Sequence, residues 1–122
     1  LKDKADLILR ATALPKHITF VSSMGAALRR DPFMIRKTEF WKVEGDPLAR
    51  CLRKRFKKNK TFPRRKFICV YSEEKPMQNM GDQRLVEHEW CSTKAQINGS
   101  LCHITASFGM AIAGIVINHI ID

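Results

Sequence analysis

The sequence has no C-x-x-C pair, no G-x-G-x-x-G, no P-loop lysine motif and no G-x-S-x-G. Each absence removes a function class. Cys51, Cys69, Cys91 and Cys102 are spaced too widely for a zinc knuckle or a thioredoxin-like pair. Without a glycine-rich loop, no phosphate cradle is expected within the chain. Without a nucleophile elbow, the usual serine-hydrolase turn is excluded. His17, His88, His103 and His119 are scattered without metal-ligand spacing, so no metal site is expected. No signal peptide is visible, which makes a reducing cytoplasm the expected setting. The most apolar stretch, Thr105 to Ile121, is 17 residues, short of the roughly 20 needed to cross a bilayer, so no membrane insertion is expected. It reads instead as a buried helix, in which Gly109 and Gly114 allow close packing against a neighbour. No internal repeat stands out.

Acidic residues are missing from one place in particular. All 12 lie outside positions 50 to 66, and that stretch carries Arg50, Arg53, Lys54, Arg55, Lys57, Lys58, Lys60, Arg64, Arg65 and Lys66. The remaining 12 of the 22 Lys and Arg balance the acids, so the whole net charge of +10 sits in this run. Charge concentrated in this way suits an anionic partner, most simply nucleic acid or a membrane surface; the plainer reading is a solvated helix face and loop.

The chain of 122 residues has room for one domain, spanning 1–122, with an apolar share of 44% that is enough for a core. It opens at Leu1 directly in a helical pattern, as a piece of a longer protein would. Residues 1 to 14 read as a helix with Leu7, Ala11 and Leu14 inward, stopped by Pro15. Ile18 to Val21 reads as a strand, Ser22 to Ala27 as a small-residue turn, Asp31-Pro32 as a further turn, and Phe33 to Phe40 as a second strand. Asp46 caps a helix with Pro47 at its first position, and Leu48, Leu52 and Phe56 form its inner line. Lys66 to Tyr71 is a third strand. Positions 73 to 97 read as a long loop, a length that in a compact domain points to function or disorder. Strands alternating with helices define an α/β layered class, and a sheet this small wants more sheet beside it.

Cys91 is the one thiol in the polar loop, three residues from both His88 and Lys94, which would lower its pKa. It is therefore the candidate nucleophile, against the plainer reading of an incidental thiol. Cys51, Cys69 and Cys102 fall in expected regular elements and read as small core residues.

Four blocks then carry a resemblance across nearly the whole chain. They are Ser22-Ser23-Met24-Gly25-Ala26 with Asp31-Pro32; Gly45-Asp46-Pro47-Leu48-Ala49-Arg50; Val70-Tyr71-Ser72-Glu73; and Asn98-Gly99-Ser100 with Thr105-Ala106-Ser107-Phe108-Gly109. In order and spacing they resemble the C-terminal half of the tRNA threonylcarbamoyladenosine dehydratase family, of the ThiF, MoeB and ubiquitin-activating-enzyme superfamily. Ala27 departs from the glycine that many members carry there, and the stretch from Glu74 to Ile97 does not match. The resemblance implies part of a Rossmann-like adenylating α/β domain, lacking the N-terminal nucleotide-binding half. It implies a homodimer, and ATP with magnesium in the complete enzyme but neither held by this fragment alone. The implied reaction is adenylation of the threonylcarbamoyl carboxylate on tRNA, followed by cyclisation with loss of water. A sulfur-relay or cysteine desulfurase partner is implied as well. The tRNA-facing residues expected are Arg50, Arg53, Lys54, Lys57, Lys58, Arg64, Arg65 and Lys66. The rival readings are a sulfur-carrier adenylyltransferase, disfavoured by the missing C-x-x-C pairs, and a non-catalytic RNA-binding module.

Overall fold

The computed structural model describes residues 1–78 and 99–122. In chain order these form helix α1 (Lys2–Thr12), strand β1 (Val21–Ser23), strand β2 (Ile35–Glu39), helix α2 (Pro47–Asn59), strand β3 (Ile68–Ser72) and helix α3 (Cys102–Ile121). Short 3-10 turns, Pro32–Met34 and Phe40–Lys42, bracket β2. The sheet order is β1-β3-β2, with β1 parallel and β2 antiparallel to the central strand. The α/β class expected from the sequence is what forms, as a small mixed sheet with helices on both faces.

Strand alternation sorts the core into two clusters. Cys69 and Tyr71 of β3 face one way, toward Ala5 and Ile8 of α1 and Ala49, Leu52 and Phe56 of α2. Val70 faces the other way, toward Ile104 and Phe108 of α3, joined by Ile35. The register agrees, since Ile35 pairs with Ser72, two residues from Val70 on β3. The first cluster is built on aromatics. Phe40 stacks on Phe67 at 5.0 Å between centroids and meets Phe56 and Trp41 edge-on at 6.0 and 5.2 Å. Burying one such side chain contributes about 1.5–3 kcal/mol.

Several sequence expectations need correction. Helix α1 buries Ala5, Ile8 and Thr12, whereas Leu7 and Leu14 of the expected inner line are 64% and 48% exposed. Thr12 tolerates burial because its hydroxyl donates to the Ile8 carbonyl at 2.8 Å and accepts from the Arg64 amide at 3.3 Å. The first strand starts at Val21 instead of Ile18, because the Arg65 guanidinium holds the Lys16 and Ile18 carbonyls at 3.2 and 2.6 Å, where a ladder would need them. The largest departure is α3. It begins at Cys102, runs 20 residues and buries only Ile104 and Phe108. Ideal Cβ atoms at Gly109 and Gly114 would meet nothing within 4 Å, so the neighbour expected there is absent among the described residues. Cys102 is exposed, against its reading as a core residue; Cys51 and Cys69 are buried as expected.

Candidate nucleic-acid interface

Helix α2 sets out the basic run, and its start is fixed by local chemistry. Asp46 caps it, with one carboxylate oxygen accepting from the Ala49 amide at 2.8 Å, and Pro47 occupies the first turn, where no donor is needed. The other oxygen accepts from the Gly25 amide at 3.1 Å and from the Arg29 guanidinium at 3.3 Å. One carboxylate thus joins the turn after β1, a buried arginine and the start of the basic helix. A Cβ on Gly25 would lie 2.9 Å from that oxygen, so only glycine fits the approach. Burial pushes the Asp46 carboxyl above its ordinary 3.8, against the opposing pull of the Ala49 amide, Arg29 and the Gly25 amide. At the far end Lys57 and Lys58 suit the negative pole of the helix, and Lys60 closes it in a left-handed conformation at φ 52°.

The inner stripe of Ala49, Leu52 and Phe56 forces Arg50, Lys54, Lys57 and Lys58 onto the opposite, exposed face. Neither of the ion pairs Arg29–Asp46 and Arg36–Glu73 draws on that face. Arg64 and Lys66 are also exposed. Arg53 and Arg65, expected among the tRNA-facing residues, are half-buried and engaged with main-chain carbonyls, Arg53 with that of Phe40 at 3.3 Å. Sequence reasoning could not separate them, because a cation bonded to a carbonyl and a cation in water are the same letter. It also passed over Phe62 and Trp41. Their rings lie 6.2 Å apart, and the half-exposed Phe62 sits within the basic run, where an aromatic among cations was the signal available.

Cys91, with His88 and Lys94, lies outside the described residues. Burial pushes the Cys69 thiol up to about 12, which makes it inert as a nucleophile. His103 meets the Arg30 carbonyl through Nε2 at 2.8 Å, a satisfied surface histidine. Asp31 accepts from the Phe33 amide at 2.9 Å, the turn role read for it.

A small mixed sheet with this capped helix on one face and α3 on the other is part of a ThiF-like α/β fold. Solved structures that share it include those of tRNA N6-threonylcarbamoyladenosine dehydratase, consistent with the C-terminal portion read from the four sequence blocks. A structure of TcdA (CsdL) superposes with a TM-score of 0.63 and 29% identity over 88% of this chain and 40% of that one. The E. coli dehydratase TcdA in complex with AMP gives 0.61 and 28%, covering 88% and 39%, and its complex with ATP gives 0.58 and 28%, covering 88% and 38%. The chain therefore spans about 40% of the length of the solved relatives it matches. No family model and no curated protein matches it.

Proposed function

We propose that this chain is the tRNA-facing part of an ATP-dependent dehydratase that adenylates the threonylcarbamoyl carboxylate of tRNA and closes it with loss of water. The observation that carries the reading is the likeness to the tRNA-modifying enzyme over 88% of the chain at 28–29% identity. The residues present do not fit a nucleotide, since the sequence has no glycine-rich loop to cradle phosphates. We therefore assign ATP and magnesium to the part of such enzymes that this chain does not span, and derive no step through them. What this chain contributes is the cationic face. Arg50, Lys54, Lys57 and Lys58 repeat along one side of α2, with Arg64 and Lys66 in the following segment. Such contacts position a tRNA on its phosphates and leave the choice of base to other groups.

The test is tRNA binding by the full chain across a salt series. Arg50, Lys54, Lys57 and Lys58 changed together to Ala should weaken binding and flatten the slope of log K against log salt by roughly 0.9 per lost phosphate contact on duplex regions. These four are chosen because Arg53 also bonds a main-chain carbonyl, and its loss would disturb the fold. Unchanged affinity and slope would reduce the patch to a solvated surface and remove the tRNA-facing role.

A further inference from the structure

Between Met34 and Phe67 the chain exposes one large apolar side chain, Phe62, at 49%. It stands inside the acid-free run, two residues after Lys60 and two before Arg64, both exposed. Its ring lies 6.2 Å from that of Trp41, tilted at 46°. Trp41 is half-buried against the first core cluster and meets Phe40 edge-on. An exposed ring is thus backed by one that the core holds. Arg53 reaches the same place from α2, since it donates to the Phe40 carbonyl, one peptide from Trp41.

The backbone that carries Phe62 is fixed on both sides. The Thr61 amide donates to the Phe56 carbonyl at 3.2 Å, and the Arg64 amide to the buried Thr12 hydroxyl at 3.3 Å. Pro63 disfavours the helical region for the residue before it. The ring is therefore presented ready-made, and with half its surface in water it returns to the fold only part of what burying a phenylalanine can give.

We propose that Phe62, supported by Trp41, is a stacking platform for an unpaired base, so that this face takes a single-stranded loop of RNA in preference to a duplex. The inference rests on the tRNA reading and deepens it. In a duplex the bases stack on one another and offer no free ring face, whereas a loop can splay a base onto an aromatic side chain. Lys60 and Arg64 hold the flanking phosphates while the ring takes the base. A lipid surface is the poorer fit, because a single half-exposed ring offers a bilayer little apolar area.

Fluorescence anisotropy with the full chain tests it on two probes, an RNA hairpin with a wide unpaired loop and a blunt RNA duplex with the same number of phosphates. Phe62→Ala should weaken hairpin binding about 5- to 100-fold, the range for one base–aromatic stack, and leave duplex binding unchanged. The salt slope of both should stay as in the parent, since no phosphate contact is lost. Phe62→Leu keeps apolar bulk against Trp41 without a π-face and should lose as much as the Ala variant, whereas Phe62→Tyr should restore the parent's affinity. Equal weakening on both probes, or full affinity in the Leu variant, would show that Phe62 only supports the fold and would overturn the proposal. Parental hairpin affinity in Phe62→Ala would overturn it too, as would a loss confined to binding of phosphatidylserine vesicles. In each of these cases the tRNA reading stands if Arg50, Lys54, Lys57 and Lys58 changed together to Ala still weaken both RNAs. If that change leaves both RNAs untouched, the tRNA reading itself fails and the platform falls with it.

Discussion

The two faces of the sheet are finished to different degrees. On one face α1 and α2 close over an aromatic core, and the outer surface of α2 is cationic. On the other face α3 seals a much smaller cluster and turns an apolar side outward. The first face has the usual logic of a surface helix, apolar within and charged without. The second has an apolar surface on both sides, without the charges that an ordinary surface helix carries outward. The difference teaches that hydrophobicity alone does not locate a helix in the interior; what covers each side does.

The largest effect that would sharpen this contrast comes from aromatic truncation on each face. Phe40 is fully buried among Phe56, Phe67 and Trp41. Phe40→Ala should destabilise the chain by about 3–5 kcal/mol, because the surrounding rings cannot collapse into the space. Phe108→Ala should cost less, as its cluster is small and lies beneath a helix with an open outer side. Urea unfolding of both variants decides the matter. Equal losses would mean that the α3 face is as well packed as the other, and the comparison would fail.

A second effect separates the faces by pH. Burial raises the Asp46 carboxyl above 3.8, so between 3.8 and its raised native value the folded chain keeps a proton that the unfolded chain releases. The stability this proton provides is fully present below 3.8 and is lost as pH rises through the native value. Asp46→Asn keeps one acceptor oxygen, which can serve the capping Ala49 amide, and removes the titration, at the loss of the acceptor for the Gly25 amide and Arg29 whatever the pH. The urea midpoint of the variant should therefore gain on that of the parent as pH rises through this window. The α3 cluster consists of apolar residues and should impose no such dependence. A difference between parent and variant that stays flat with pH would show that Arg29 and the amides hold the carboxyl at its ordinary value.

Sequence legibility follows the same division. The start and inner line of α2 were readable, because Asp46-Pro47 is a local capping signal and Leu52 and Phe56 keep helical spacing whatever surrounds them. The third strand and the turn at Asp31 were readable for the same local reason. The inward side of α1 was not. Leu7, Leu14, Ile8 and Leu9 put apolar residues on more than one side, and the choice was made by Thr12, whose hydroxyl finds a carbonyl and an amide only once the chain is folded. For α3, a helix apolar all round looks the same to a periodicity argument whether it is enclosed or half uncovered. Within the candidate site, the cationic face of α2 was legible as charge. The withdrawal of Arg53 and Arg65 to carbonyls distant in sequence was not.

The smallest effect concerns backbone strain, which among the described residues other than glycine falls at Lys60 and Leu28. Lys60 ends α2 at φ 52°, and Leu28, whose amide donates to the Gly99 carbonyl at 2.9 Å and whose carbonyl accepts from Met77 at 2.7 Å, lies at φ 64°. The left-handed region costs a residue with a Cβ roughly 1–2 kcal/mol. Lys60 is exposed, so Lys60→Gly removes the strain with little packing lost, and part of the gain is returned through the greater freedom of glycine in the unfolded chain. A net gain of about 0.5–1 kcal/mol in urea unfolding is expected, with α2 retained. Leu28 is half-buried, so Leu28→Gly forfeits apolar contact and should come out near zero or negative. Leu28→Asn, which tolerates the left-handed region while keeping a side chain, should fall between the two. If Lys60→Gly destabilised the chain instead, the lysine side chain would have to be contributing at the end of α2 more than its strain takes away, and the charged surface of that face would be part of its stability as well as its chemistry.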